Sequence, residues 1–181
     1  MVQAFRRVVT GHSGDGKAIF TSDGQPPRVA EVAGMKDFAI VTVWATDHGM
    51  TAVPGSDDPT PAMTTMVPGP GGSRFLVTVM PPAGQGLEPG TDPATVGPAL
   101  AAQMPGMAEA MEPDNPGMHT TDTIDYDIII SGELVLELDD GAEVTLKPGD
   151  IVIQTGTRHA WRNRGSVPVV MYSVLVGAPR Q

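Results

Sequence analysis

Between Asp125 and Val176 the chain packs six short β-prone runs into about fifty residues, and that density limits its fold more than any other feature. The runs are Asp125 to Ser131, Glu133 to Leu138, Ala142 to Leu146, Asp150 to Gln154, His159 to Asn163 and Val169 to Val176. Ser131-Gly132 and Asp139-Asp140-Gly141 sit between runs and supply the positive-φ residues that tight hairpins need. Leu134, Leu136 and Leu138 alternate with Glu133, Val135 and Glu137, the pattern of a strand with one wet and one dry face. Strands this short and this regularly spaced specify a sandwich or barrel. No internal repeat is visible.

The preceding residues add strands and irregular connections. Phe5 to Thr10 and Lys17 to Ser22 flank the turn cluster His12-Ser13-Gly14-Asp15-Gly16 and read as a hairpin. Phe38 to Thr46 and Arg74 to Met80 are further strands, rich in β-branched and aromatic residues. Residues 47–73, with five prolines, read as a long loop, either a lid or a surface wrap. Ala99 to Met111 carries helix formers interrupted by Pro105-Gly106, which predicts one short or broken helix. Met104, Met107 and Met111 on it would cover a barrel mouth or pack on the outside of a sheet. One domain results, in three parts: strands and a long loop over 1–82 that extend the barrel sheet, a Pro/Gly/Met-rich linker with a short helix over 83–116, and the barrel proper over 117–181. The class is all-β.

Charge and composition exclude several partners. The net charge of −10 repels phosphate backbones and anionic lipid surfaces, so nucleic acid and membranes are not expected. No apolar run approaches the ~20 residues of a spanning helix. The first residues lack the apolar stretch of a secretory signal, and the expected location is cytoplasmic. With no cysteine, any metal must be held by His, carboxylate or water.

Two of only four histidines, His119 and His159, fall beside strands of the dense region. Residues separated by even numbers share a strand face, so His119, Thr121, Asp125 and Asp127 point one way, and His159, Trp161 and Asn163 share a face on a later strand. If both faces line one barrel, His119, Asp125 and His159 converge as two histidines and a carboxylate, which suits a metal or acid–base site. Asp125 is then a ligand or general base, or else a carboxylate paired with Arg162. Asp127 would add a second carboxylate and raise one of the two pKa values. Trp161 is an aromatic wall for a ligand or a core residue. Gln154 donates to a substrate oxygen or bonds within the barrel. Tyr126 has opposite parity and faces a second sheet or a dimer interface. Arg158 faces solvent. His12 and His48 lie in turn or loop contexts.

In register, these residues resemble the two motifs of the cupin superfamily of small jelly-roll β-barrels. His119 matches the first histidine of the first motif, Asp125 stands at its glutamate position and Gly132 is its closing glycine. Gly149-Asp150, Gly156, His159 and Asn163 match the second motif. Thr121 stands where the first motif has its second histidine, and Gln154 replaces a proline. The string His-x-Thr-x-x-x-Asp-Tyr also resembles a subgroup of single-domain cupins from bacteria and fungi, some beside natural-product genes. The resemblance implies a cupin barrel with an N-terminal strand extension, often dimeric. It also implies a divalent metal such as Zn, Fe, Mn or Ni on His119, Asp125 and His159, or a site working without one. Loss of one histidine favours a small-molecule lyase, of dehydratase or decarboxylase type, with His159 or Asp125 as the base and Trp161, Gln154 and Asp127 on the substrate. The alternatives are a metal-dependent dioxygenase and a non-catalytic barrel that binds a small organic ligand. A homodimer is expected, the N-terminal arm pairing with a neighbouring barrel.

Overall fold

A computed structural model describes residues 4–50 and 57–180. Part of the 47–73 loop, including Pro54, therefore lies outside the described residues. The dense region forms β6 (Thr123–Ser131), β7 (Leu134–Glu137), β8 (Glu143–Leu146), β9 (Ile151–Thr155), β10 (Ala160–Arg162) and β11 (Val169–Gly177). Before it come β1 (Arg7–His12), β2 (Ala18–Gly24), β3 (Arg28–Ala30), β4 (Ala39–Thr46) and β5 (Ser73–Met80).

Two sheets face each other. One has six strands in the order β3-β4-β5-β11-β6-β9, and the other has three in the order β10-β7-β8. All their pairings are antiparallel. This is the all-β jelly-roll barrel that the strand pattern and motifs implied. The turn after β6 needs Gly132, whose φ is +77° and whose missing Cβ would meet Val169 Cγ2 at 2.8 Å.

The alternation of β6 decides what faces inward. Thr123, Asp125, Asp127 and Ile129 are buried, while Ile124, Tyr126, Ile128 and Ile130 are exposed on the outer face. Tyr126 is 48% exposed there, beside its register partner Ile153. Inside, one apolar cluster gathers Ile129, Leu134, Leu136, Leu146, Val169 and Met171. A second, at the other end, joins Ile40, Leu76 and Leu175 to Met63, Met66, Met104 and Met107. Each fully buried side chain of this kind contributes roughly 2 kcal/mol, so methionine and aliphatic packing replaces the few aromatics.

The N-terminal part joins the barrel unevenly. β3, β4 and β5 extend the larger sheet, but β1 and β2 pair only with each other. Arg7 anchors the root of that hairpin: its guanidinium bonds Val43 O and Asp58 and lies over the Trp44 ring. Phe20, nearer the tip, is 76% exposed.

The linker folds as two helices, α1 (Pro93–Gln103) and α2 (Met107–Ala110), broken at Pro105-Gly106 as the sequence suggests. The first begins six residues earlier than the helix-forming run implied. Asp92 caps it by accepting from the Ala94 N–H at 3.0 Å, and Pro93 occupies the first turn, where a missing N–H costs nothing. No helix among the described residues is long and apolar enough to cross a membrane.

Candidate functional site

A cavity of about 560 Å³ opens between the two apolar clusters. Its walls are Ile40, Leu76, Met80, Met171, Leu175 and Trp161, and Leu100, Met104, Met107 and Met111 from the helical segment form its roof. His119, His159, Asp125, Asp127, Thr121 and Ser173 bring polar groups to it. Met104, Met107 and Met111 thus line the cavity rather than pack on the outside of a sheet.

The two histidines meet differently from the simple strand picture. β6 starts only at Thr123, and His119 lies ahead of it. His119 is held by an isolated bridge to His159: each N–H donates to the other's carbonyl, at 2.9 and 3.0 Å. His119 therefore crosses towards the smaller sheet and stacks beside His159, ring centroids 4.2 Å apart. Trp161 stands edge-on to His159 at 5.6 Å.

The hydrogen bonds fix the tautomers. His119 Nδ1 is 3.0 Å from Gly117 O, and His159 Nδ1 is 2.9 Å from Thr157 O. A carbonyl only accepts, so each Nδ1 carries the proton and each Nε2 keeps a lone pair. Both rings are neutral. Burial lowers the pKa of His159 to about 4, aided by the neighbouring His119, and burial also lowers that of His119.

The carboxyls move the other way. Burial raises Asp125 to about 6, against a Thr123 hydrogen bond that lowers it. Burial raises Asp127 to about 7, with a further push from Asp125 and a counter-pull from Ser173. Asp125 Oδ1 is buried without a hydrogen-bond partner. Arg162 does not pair with Asp125; it bonds Glu137 and Pro116 O instead. Thr121, at the place of the missing histidine, shares a 2.7 Å hydrogen bond with Thr123.

Two neutral imidazoles backed by carbonyls are sound metal-ligand chemistry. The third donor is what fails. Among the described residues no three His, Cys, Asp or Glu side chains gather as a set able to hold a metal ion. His119, Asp125 and His159 line one cavity but do not gather as a three-ligand set among the described residues. The residues do not fit a three-ligand metal centre, and the chemistry below is built on side chains alone.

Other expected residues turn out structural. Gln154 is the register partner of Asp125, but its Oε1 accepts from Thr157 Oγ1 and it does not line the cavity. Asn163 donates to Met80 O and Val167 O and accepts from the Gly165 N–H, locking a turn. Asp150 likewise accepts from the Lys147 N–H. Arg158, expected to face solvent, is bidentate on Glu112 and also bonds Asp139, tying the segment after α2 to the barrel rim. Ser173 went unread in the sequence. It sits opposite Asp127 on β11, and the signal was one hydroxyl at an inward position of an apolar strand.

Comparison with known proteins adds the following. Residues 109–175 match the family model described as Cupin domain. Phomopsin biosynthesis cluster protein C' of Diaporthe leptostromiformis is 28% identical over 162 residues, covering 87% of this chain and 70% of that protein. The cupin-domain-containing oxidoreductase fogC of Aspergillus ruber is 37% identical over 62 residues, 33% of this chain and 30% of that one. A Cupin 2 conserved barrel domain protein from Salinispora arenicola aligns with a TM-score of 0.40 and 16% identity over 82% of this chain and 83% of its own.

Proposed function

Because residues 109–175 match the Cupin domain family model, we propose that the chain is a small-molecule lyase, of dehydratase or decarboxylase type, working by acid–base chemistry in the barrel cavity. The observation that carries this is the opposite displacement of titratable groups that line one cavity. Burial keeps His159 and His119 neutral with free Nε2 lone pairs, while it brings Asp125 and Asp127 to about 6 and about 7. Groups whose environments push their pKa values apart divide into base and acid.

In the dehydration form, a β-hydroxy carbonyl compound sits with its apolar part against the methionines and Trp161. His159 Nε2 or the Asp125 carboxylate takes the proton on the carbon next to the carbonyl. The protonated Asp127 carboxyl gives its proton to the departing hydroxyl. The C–H and C–O bonds break, a C=C bond forms and water leaves, with no change in net oxidation state. An acid poised near 7 suits this task, and of the two bases Asp125, at about 6, lies closer to neutrality than His159, at about 4.

Several relatives are named cupin-domain-containing oxidoreductases, which favours a second reading, a metal-dependent dioxygenase. One experiment separates the two. Purified protein is treated with a chelator, made anaerobic and offered a panel of β-hydroxy ketones, with enone formation followed by ultraviolet absorbance. Turnover without oxygen or metal is the expected result. Turnover that needs stoichiometric iron and consumes oxygen would replace the lyase with the dioxygenase.

A further inference from the structure

We propose that the cavity selects an uncharged, mostly apolar ligand with a single polar end, and rejects carboxylates and phosphates. The inference deepens the lyase reading and rests on it for the site. It narrows the reaction to dehydration, because decarboxylation needs a substrate that enters as an anion.

The chain has 11 Lys and Arg residues, and none of them lines the cavity. The basic groups nearest the roof segment are already spent. Arg158 is engaged by Glu112 and Asp139, and Arg162 by Glu137 and the Pro116 carbonyl. The charged groups that do reach the cavity are Glu112, Asp125 and Asp127, all acidic. The histidines are neutral and present Nε2 lone pairs, so they accept hydrogen bonds and supply no counter-charge. An incoming carboxylate would lose its hydration, meet no cation and face two buried acidic side chains.

The rest of the wall states what is accepted. Met104, Met107, Met111, Leu100, Phe38 and Leu175 give an adaptable apolar surface. The volume of about 560 Å³ lies within the range of small-molecule pockets. The unpartnered Asp125 Oδ1 is buried beside this space and calls for a hydroxyl or water donor. A neutral chain carrying one hydroxyl satisfies both demands, the hydroxyl donating to Asp125 Oδ1.

The test compares 2-nonanol with octanoate, which share one heavy-atom skeleton and differ by a hydroxyl and a methyl in place of the charged carboxylate oxygens. Binding is measured by isothermal titration calorimetry at pH 8. The alcohol is expected to bind at least tenfold more tightly. Asp127→Asn is expected to narrow that gap several-fold by easing repulsion of octanoate. Met107→Trp, which fills the cavity, should abolish alcohol binding, and Ala108→Phe serves if the first variant unfolds. Octanoate binding as tightly as the alcohol overturns the inference. So does failure of the alcohol to bind up to its solubility limit, or alcohol binding that ignores both filling variants. The two readings fail separately. Charge selectivity without any turnover removes the lyase alone, and turnover of an anionic substrate removes this inference alone.

Discussion

Asp127→Asn is expected to stabilise the protein at pH 8 and to leave its stability almost unchanged at pH 4. Asp127 is buried, and its pKa rises from the ordinary 3.8 to about 7 on folding. Above pH 7 the carboxyl is ionised in both states, and the folded protein bears the full cost of a buried charge. As pH falls below 7 the folded state takes up a proton first, so the cost shrinks and is gone below about 3.8. A group raised on folding therefore favours the native state at low pH and loses that advantage as pH rises through its folded pKa. Asparagine keeps the shape and carries no charge at any pH. The gain at pH 8 should be about 2–4 kcal/mol, the upper figure being three pKa units fully converted. For a chain of this length that means roughly 5–15 °C in Tm. Paired melts of the two proteins from pH 4 to pH 8 check it, and a gap that stays flat across that range contradicts the burial of an ionised Asp127.

The histidine pair runs in the opposite sense. His159 falls from 6.5 to about 4 on folding, so its neutral form stabilises the native state above pH 6.5, and that support is lost as pH drops through 4. Wild-type stability between pH 4 and 7 is thus a balance of opposed terms. Only the difference between wild type and the Asp127 variant isolates one of them.

His159→Ala carries the largest expected effect on rate. Removing a positioned base costs between about 10² and 10⁴ in kcat/KM. The readout that distinguishes a base from a packing residue is exchange of the proton α to a ketone with solvent deuterium. The variant should lose that exchange together with turnover, while 2-nonanol binding changes by no more than a few-fold. Exchange within threefold of wild type would assign the proton transfer to Asp125 instead.

Much of this arrangement is legible in the sequence because strand periodicity is a local property. The alternation of β6 assigns Asp125 and Asp127 to the inside and Tyr126 to the outside, and the structure agrees. The glycine turns likewise mark where the strands end. What the sequence hides is decided between distant segments. β3, only three residues long and directly after Pro26-Pro27, has too short a pattern to read and exists through its pairing with β4. His119 has the right parity but reaches the site through one bridge to His159, forty residues away. Gln154 has the right face, and its side chain is captured by Thr157. The acid–base character of Asp127 comes from burial and from its neighbour Asp125, neither of which composition or spacing can express.

The chain's proposed chemistry stands on two buried carboxyls pushed up towards neutrality in a cavity that two neutral histidines also line. The direct measurement is a ¹³C NMR titration of the side-chain carboxyls in wild type, with Asp127→Asn to assign the resonances. The pair should titrate with midpoints of about 6 and about 7, values that belong jointly to two interacting groups. Two midpoints near 4 would mean that both carboxylates are solvated or paired, and would contradict the acid–base account.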